Sequence, residues 1–139
     1  MVILKNPKIL AVDDVPDNLY LLEAILSDEK DYQVSCVESG KSAIAAIETS
    51  PPDLILLDIM MPDITGYEIT RRVRENQNLP YIPILLITAQ DADKAAQGLE
   101  AGADGIIQKP FDIHHLLERV EDSLARDCDC GCGCEANAE

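Results

Sequence analysis

DLILLDIMMPDITGYE, residues Asp53–Glu68, decides how the rest of the chain is read. Leu54 to Leu57 form an aliphatic run without polar alternation, and the run ends on a carboxylate, Asp58. Short apolar runs of this kind suit strands buried on both faces, as in a parallel sheet covered by helices. Three more segments share the design: ILAVDD (Ile9–Asp14), IPILLITA (Ile82–Ala89) and GADGIIQKPF (Gly102–Phe111). Each starts aliphatic and finishes in a residue able to reach a neighbour, namely Asp13 and Asp14, Thr88, and Lys109. In open parallel sheets ligands bind beyond the carboxyl ends of the strands, where strand order reverses. A carboxylate, a hydroxyl or an ammonium group at one strand end is an ordinary loop residue. Four such ends in succession form a constellation.

Strands are expected near Ile9–Val12, Gln33–Val37, Leu54–Leu57, Ile82–Ile87 and Gly105–Gln108. Five helices fall between and after them. The first spans about Asp17–Asp28, with Leu19, Leu22, Ile25 and Leu26 at spacings of three and four. The second runs about Lys41–Thr49 and stops before Pro51-Pro52. The third starts near Gly66 and carries Ile69 and Val73 inward. The fourth, about Asp91–Glu100, ends at Gly102, suited to a left-handed cap. The last, about Ile113–Leu124, turns Ile113, Leu116, Leu117, Val120 and Leu124 inward behind Asp112 as N-cap. The alternation predicts a doubly wound α/β fold with a five-stranded parallel sheet. Periodicity leaves the strand order open. The order 2-1-3-4-5 would set the first strand beside the third, and so gather Asp13, Asp14 and Asp58.

Like carboxylates about 4 Å apart repel by roughly 4 kcal/mol at an effective dielectric near 20, so three together call for a cation. Mg²⁺ suits such a site: it takes a few carboxylates, several waters and a phosphate oxygen. With Lys109 and the Thr88 hydroxyl, the set matches the needs of an incoming phosphoryl group. A carboxylate can itself be the nucleophile, and that role falls to Asp58.

The 139 residues suit one domain, and 47% apolar content is that of a globular protein. Net charge is −15, from 26 acidic and 11 basic residues, which argues against a nucleic-acid ligand. Arg71, Arg72 and Arg74 form the strongest basic cluster and read as a solvated helix face. No aliphatic run approaches a membrane span, and MVILKNPK is too short and soon too polar for a signal peptide. A cytoplasmic location is therefore expected.

Taken together, VDD, LLDIMMPDITGYE, ITA, GADG and KPF at these intervals resemble the receiver domain of bacterial two-component response regulators, from about Pro7 to Arg126. The resemblance implies a flavodoxin-like receiver fold of strand order 2-1-3-4-5, with residues 1–126 as receiver and 127–139 as a flexible, acidic, cysteine-rich tail. It implies that Asp58 accepts a phosphoryl group from a sensor histidine kinase or phosphotransfer protein. Asp14, Asp58 and the Met60 carbonyl would bind Mg²⁺, with Asp13 acting through metal-bound water. Thr88 would hydrogen-bond the phosphoryl oxygen and Lys109 would pair with it. Where the family often has a switching aromatic residue, this chain has Ile106, so that aromatic rotamer switch cannot operate. Met60 and Gln90 match positions that tune the lifetime of the phosphorylated state, and slow to moderate self-dephosphorylation is expected. The implied protein is a stand-alone, chemotaxis-type regulator whose output runs through protein contacts with a downstream target. It is a switch rather than an enzyme, and its oligomeric state stays open.

Beyond Arg126 the composition changes to DCDCGCGCEANAE. Cys128, Cys130, Cys132 and Cys134 lack the C-x₂-C spacing of zinc modules and resemble thiol-dense, metallothionein-like peptides able to gather Cu⁺ or Zn²⁺. The plainer reading is an acidic extension with reduced thiols. Cys36 is expected in a buried strand as an inert core residue. Two other functions compete: a metal or redox sensor acting through the tail, and a magnesium-dependent phosphatase with an aspartyl nucleophile. The second lacks an acid/base carboxylate at residue 60, which is Met.

Overall fold

The computed structural model describes residues 7–29, 32–59, 61–88, 92–108 and 112–129. Strands and helices alternate as β1 (Lys8–Val12), α1 (Pro16–Glu29), β2 (Gln33–Val37), α2 (Gly40–Thr49), β3 (Leu54–Asp58), α3 (Gly66–Glu75), β4 (Ile84–Thr88), α4 (Ala92–Ala101), β5 (Gly105–Gln108) and α5 (Ile113–Asp129). All strand pairs are parallel, and the sheet order is β2-β1-β3-β4-β5. This is the doubly wound, flavodoxin-like receiver architecture that the alternation and the resemblance predict.

The aliphatic runs are continuous because successive side chains feed two different cores. Ile9, Ala11, Leu54, Leu56, Leu85, Ile87 and Ile107 pack beneath α1 and α5. Leu10, Val12, Ile55, Leu57, Ile84 and Leu86 point to the opposite side, with Ala43 and Ile47 of α2 and Ile69 and Val73 of α3. Every residue of β3 and β4 is buried. Truncating one of these aliphatics to Ala would cost about 2–5 kcal/mol.

Caps set the helix ends. Ser39 accepts the Ser42 N–H at 3.1 Å and Thr65 accepts the Glu68 N–H at 3.2 Å, opening α2 and α3. Asp112 caps α5 through the His115 N–H at 3.2 Å. At the end of α4, Gly102 takes φ 115°, a left-handed conformation. The Ala103 N–H then reaches the Gly98 carbonyl and the Gly102 N–H the Leu99 carbonyl, both at 3.1 Å, closing a Schellman turn.

Five expectations need correction or extension. Cys36 is exposed, because β2 is an edge strand with a sheet neighbour on one side alone. Ile113 is 50% exposed, since α5 meets the sheet first at Leu116, one turn later. Arg74 does not belong to the solvated face of Arg71 and Arg72; its guanidinium is drawn against the start of β4 and β5. β4 begins at Ile84 rather than Ile82, because Pro83 has no N–H to enter the ladder. The backbone of α5 also continues past Leu124 to Asp129, where neither Gly nor Pro interrupts it. Among the described residues, no helix is long and apolar enough to cross a membrane.

Candidate functional site

The β1–β3 register pairs Val12 with Leu57, so the next residues, Asp13 and Asp58, stand level at the carboxyl edge of the sheet. Both continue the side-chain alternation that faces α1 and α5. Asp14 follows directly, and ligand oxygens of Asp13, Asp14 and Asp58 all lie within 4.8 Å of one another. Asp13 and Asp58 are buried, 2% and 7% exposed, whereas Asp14 is half-buried at the mouth.

The three carboxylates are not equivalent. Asp13 has both oxygens engaged, one by the Val15 N–H at 2.9 Å and one by the Asn18 amide at 3.1 Å. It thereby shapes the entry to α1, where Pro16 occupies the first helical position. Its own N–H donates to the Val37 carbonyl at 3.3 Å, tying the end of β1 to the end of β2.

Asp58 ends β3, beside β4, where Ile87 is its register partner and Thr88 stands one residue further. Thr88 is buried at the carboxyl end of β4. After Asp58 the chain is held close: the Ile59 N–H donates to the Ile87 carbonyl at 3.3 Å and the Gly66 N–H to the Ile59 carbonyl at 2.9 Å. A side chain on Gly66 would place Cβ 2.8 Å from the Asp58 carbonyl oxygen and 2.9 Å from the Ile59 Cα. Glycine is required there for α3 to start against the strand end.

Further along the loop, the Asp63 carboxylate accepts N–H groups of Gly40 and Lys41 at the start of α2, each at 3.1 Å. These backbone donors hold its carboxyl below the usual carboxylate range. Ile106 is half-buried in β5, less so than a buried strand residue, and packs on the core shared with α2 and α3.

Lys109 directly follows Gln108, the register partner of Thr88, but Lys109, Met60 and Gln90 lie outside the described residues. Cys130, Cys132 and Cys134 also lie outside them, and of Cys128 only the backbone, within α5, is described. Asn18, Asp63 and Gly66 are the site-shaping residues that sequence reasoning passed over. Asn18 sits four residues beyond the aspartate pair, the spacing of a helix entry, and that was the signal available.

At 4.8 Å, two like charges repel by roughly 3 kcal/mol at an effective dielectric near 20. The donors are hard anionic oxygens, part buried and part open to water. This set fits Mg²⁺, which accepts two or three carboxylates while keeping water ligands.

Residues 9–121 match the response regulator receiver domain family. Over 122 residues the chain is 42% identical to the response regulator PleD of Caulobacter vibrioides, covering 87% of this chain and 26% of that protein. It is 43% identical over 121 residues to the response regulator ArlR of Staphylococcus saprophyticus, covering 86% and 53%. The chain thus spans about a quarter to a half of these curated relatives. Among solved structures it is similar to the chemotaxis response regulator CheY4 of Vibrio cholerae, with TM-score 0.80 and 31% identity, covering 86% of this chain and 100% of that one.

Proposed function

This chain belongs to the response regulator receiver domain family, and from that premise we propose that it is a phosphoacceptor switch in which Asp58 takes a phosphoryl group from a histidine kinase or phosphotransfer protein. Members of the family are switches rather than enzymes acting on an external substrate, and they typically bind Mg²⁺. The observation that carries the reading is the convergence of Asp13, Asp14 and Asp58 at the carboxyl edge of β1 and β3.

In the proposed reaction an Asp58 carboxylate oxygen attacks phosphorus. The bond from phosphorus to the donor histidine nitrogen breaks as the new P–O bond forms, and the imidazole takes up a proton. Asp14, Asp58 and the Met60 carbonyl would hold Mg²⁺. Asp13, whose oxygens already accept from Val15 and Asn18, would reach the ion through water. The ion, when bound, would neutralise the carboxylates and the phosphoryl oxygens. Thr88 would donate its hydroxyl to a phosphoryl oxygen and Lys109 would pair with another.

The readout is a population shift that a partner protein recognises. Coupling runs through Thr88 without an aromatic rotamer change, because Ile106 is aliphatic. We propose that the receiver works by itself in the cytoplasm, as a chemotaxis-type regulator signalling through protein contacts, and that its phosphorylated form decays slowly to moderately. The match over the whole CheY4 chain supports the comparison with a chemotaxis-type regulator.

The test is intact-mass analysis after incubation with acetyl phosphate, with and without Mg²⁺, beside Asp58→Asn. A single phosphoryl gain that requires Mg²⁺ and vanishes in the variant is expected. No gain in the wild type, where another receiver reacts, would remove the proposal.

A further inference from the structure

The Asp63 carboxylate has no part in the chemistry above, yet it joins two loops that are far apart in sequence. We infer that Asp63 is a positioning residue for the acidic site, closing a hydrogen-bonded belt that fixes the ends of β1 and β3 relative to each other. The inference rests on Asp58 being the phosphoacceptor.

The belt can be followed atom by atom. Asp13 donates its N–H to the Val37 carbonyl, at the end of β2. From Val37 the chain passes through Glu38 and Ser39 into α2, whose first two N–H groups, on Gly40 and Lys41, point at the two oxygens of Asp63. Asp63 sits in the loop that leaves Asp58, and that loop is pinched shut by the bond from the Gly66 N–H to the Ile59 carbonyl. Ile59 in turn donates to the Ile87 carbonyl, beside Thr88. The side chains read as metal-binding and phosphoryl-accepting thus stand on two arms, and Asp63 is the side-chain link that joins the arms around the outside of the sheet edge.

Both bonds are charge-assisted, and the carboxylate meets the positive end of a ten-residue helix. Its lowered pKa agrees with a carboxylate held ionised by these donors. Asp63 and Lys41 are exposed, so water could satisfy the Lys41 N–H at little cost to folding, whereas Gly40 is buried. What water cannot supply is the tether between the loop and the helix. The effect is therefore expected on the geometry of the site more than on stability.

The experiment measures initial rates of phosphorylation of the full chain by acetyl phosphate as Mg²⁺ is varied, with thermal melts on the same samples. Asp63→Ala is expected to raise the half-saturating Mg²⁺ concentration about tenfold, the low end of what outer-shell partners of a metal site contribute. Asp63→Asn keeps one acceptor oxygen and is expected to fall between. Ser39→Ala removes the α2 cap without touching the loop, and is expected to follow the wild-type Mg²⁺ dependence. A wild-type Mg²⁺ dependence in Asp63→Ala would overturn the inference, as would an equal shift in Ser39→Ala, which would assign the effect to helix fraying. Should Asp63→Ala not fold, Asp63→Asn decides by the same criterion. A wild type that gains no phosphoryl group would instead remove the reading of Asp58 on which the inference stands.

Discussion

Asp13 and Asp14 are adjacent in sequence and belong to the same acidic cluster, yet their surroundings differ and lead us to expect opposite effects on stability. Asp13 is buried, and its oxygens satisfy a backbone N–H and the Asn18 amide at the entry to α1. Asp14 is half-buried, with a carboxylate oxygen within 4.8 Å of the other two carboxylates, and is expected to be repelled by them when no cation is bound. In Mg²⁺-free buffer, Asp13→Ala is expected to lower stability by about 1–3 kcal/mol, through loss of its two charge-assisted bonds from the Val15 N–H and the Asn18 amide. Asp14→Asn is expected to raise it by about 1 kcal/mol by removing a like charge at similar volume. Urea denaturation of both variants with a chelator present measures the two signs. Destabilisation by Asp14→Asn would mean that its charge is already compensated without the metal. Added Mg²⁺ is expected to stabilise the wild type and to do so less for Asp14→Asn.

Among the elements, the junction of α3, β4 and β5 departs most from what the chain suggests. Arg74 donates to the Gly102 carbonyl at 2.8 Å, to the Ile82 carbonyl at 2.7 Å and to Asp104 at 2.8 Å, and its guanidinium stacks 4.6 Å from the Tyr81 ring centre. Asp104 also accepts the Ile84 N–H at 2.8 Å and the Tyr81 hydroxyl. One ion pair thus fixes the start of β4, the start of β5 and the end of α4. Its side chains are 20% and 10% exposed, so little solvent screens it. Arg74→Ala is expected to cost about 2–4 kcal/mol in urea denaturation, because Asp104 loses its counter-charge and the Gly102 and Ile82 carbonyls lose the guanidinium donor. A change below about 0.5 kcal/mol, that of an exposed helix arginine such as Arg71 or Arg72 pairing with Glu68, would contradict it. Sequence pattern could not separate these three arginines, since period and composition fix which face a residue takes but not what a distant loop brings to it. The same limit explains Cys36: a strand at the sheet edge and one at its centre read alike, and strand order is a long-range property. The five strands, the helices and two of their caps, Asp112 and Gly102, were legible because each is encoded locally, by runs, by spacing and by residue type, whereas the Ser39 and Thr65 caps were not read. The cluster of Asp13, Asp14 and Asp58 was legible for another reason: parallel strands must deliver their last residues to one edge. The tie from Asp63 to α2 has no local signature, as its donors are backbone groups more than twenty residues away.

Across the whole molecule, the parallel sheet brings separate strand ends into one acidic cluster, while two aliphatic cores hold those ends in register. The chain carries a net charge of −15, and its acidic pocket concentrates part of that charge where a cation and a phosphoryl group would meet it. Arg74 is committed to an internal ion pair, while Arg71 and Arg72 stay exposed and share Glu68. Function therefore rests on whether the carboxylate at the end of β3 is the atom group that carries the phosphoryl. The most direct measurement traps the product: the chain is incubated with acetyl phosphate and Mg²⁺, reduced with borohydride to convert an acyl phosphate to the alcohol, and sequenced by tandem mass spectrometry. Reduction at position 58, with Asp13, Asp14 and Asp63 intact, is the expected result. Reduction at another carboxylate, or none while the intact mass shows a bound phosphoryl group, would contradict the assignment of Asp58.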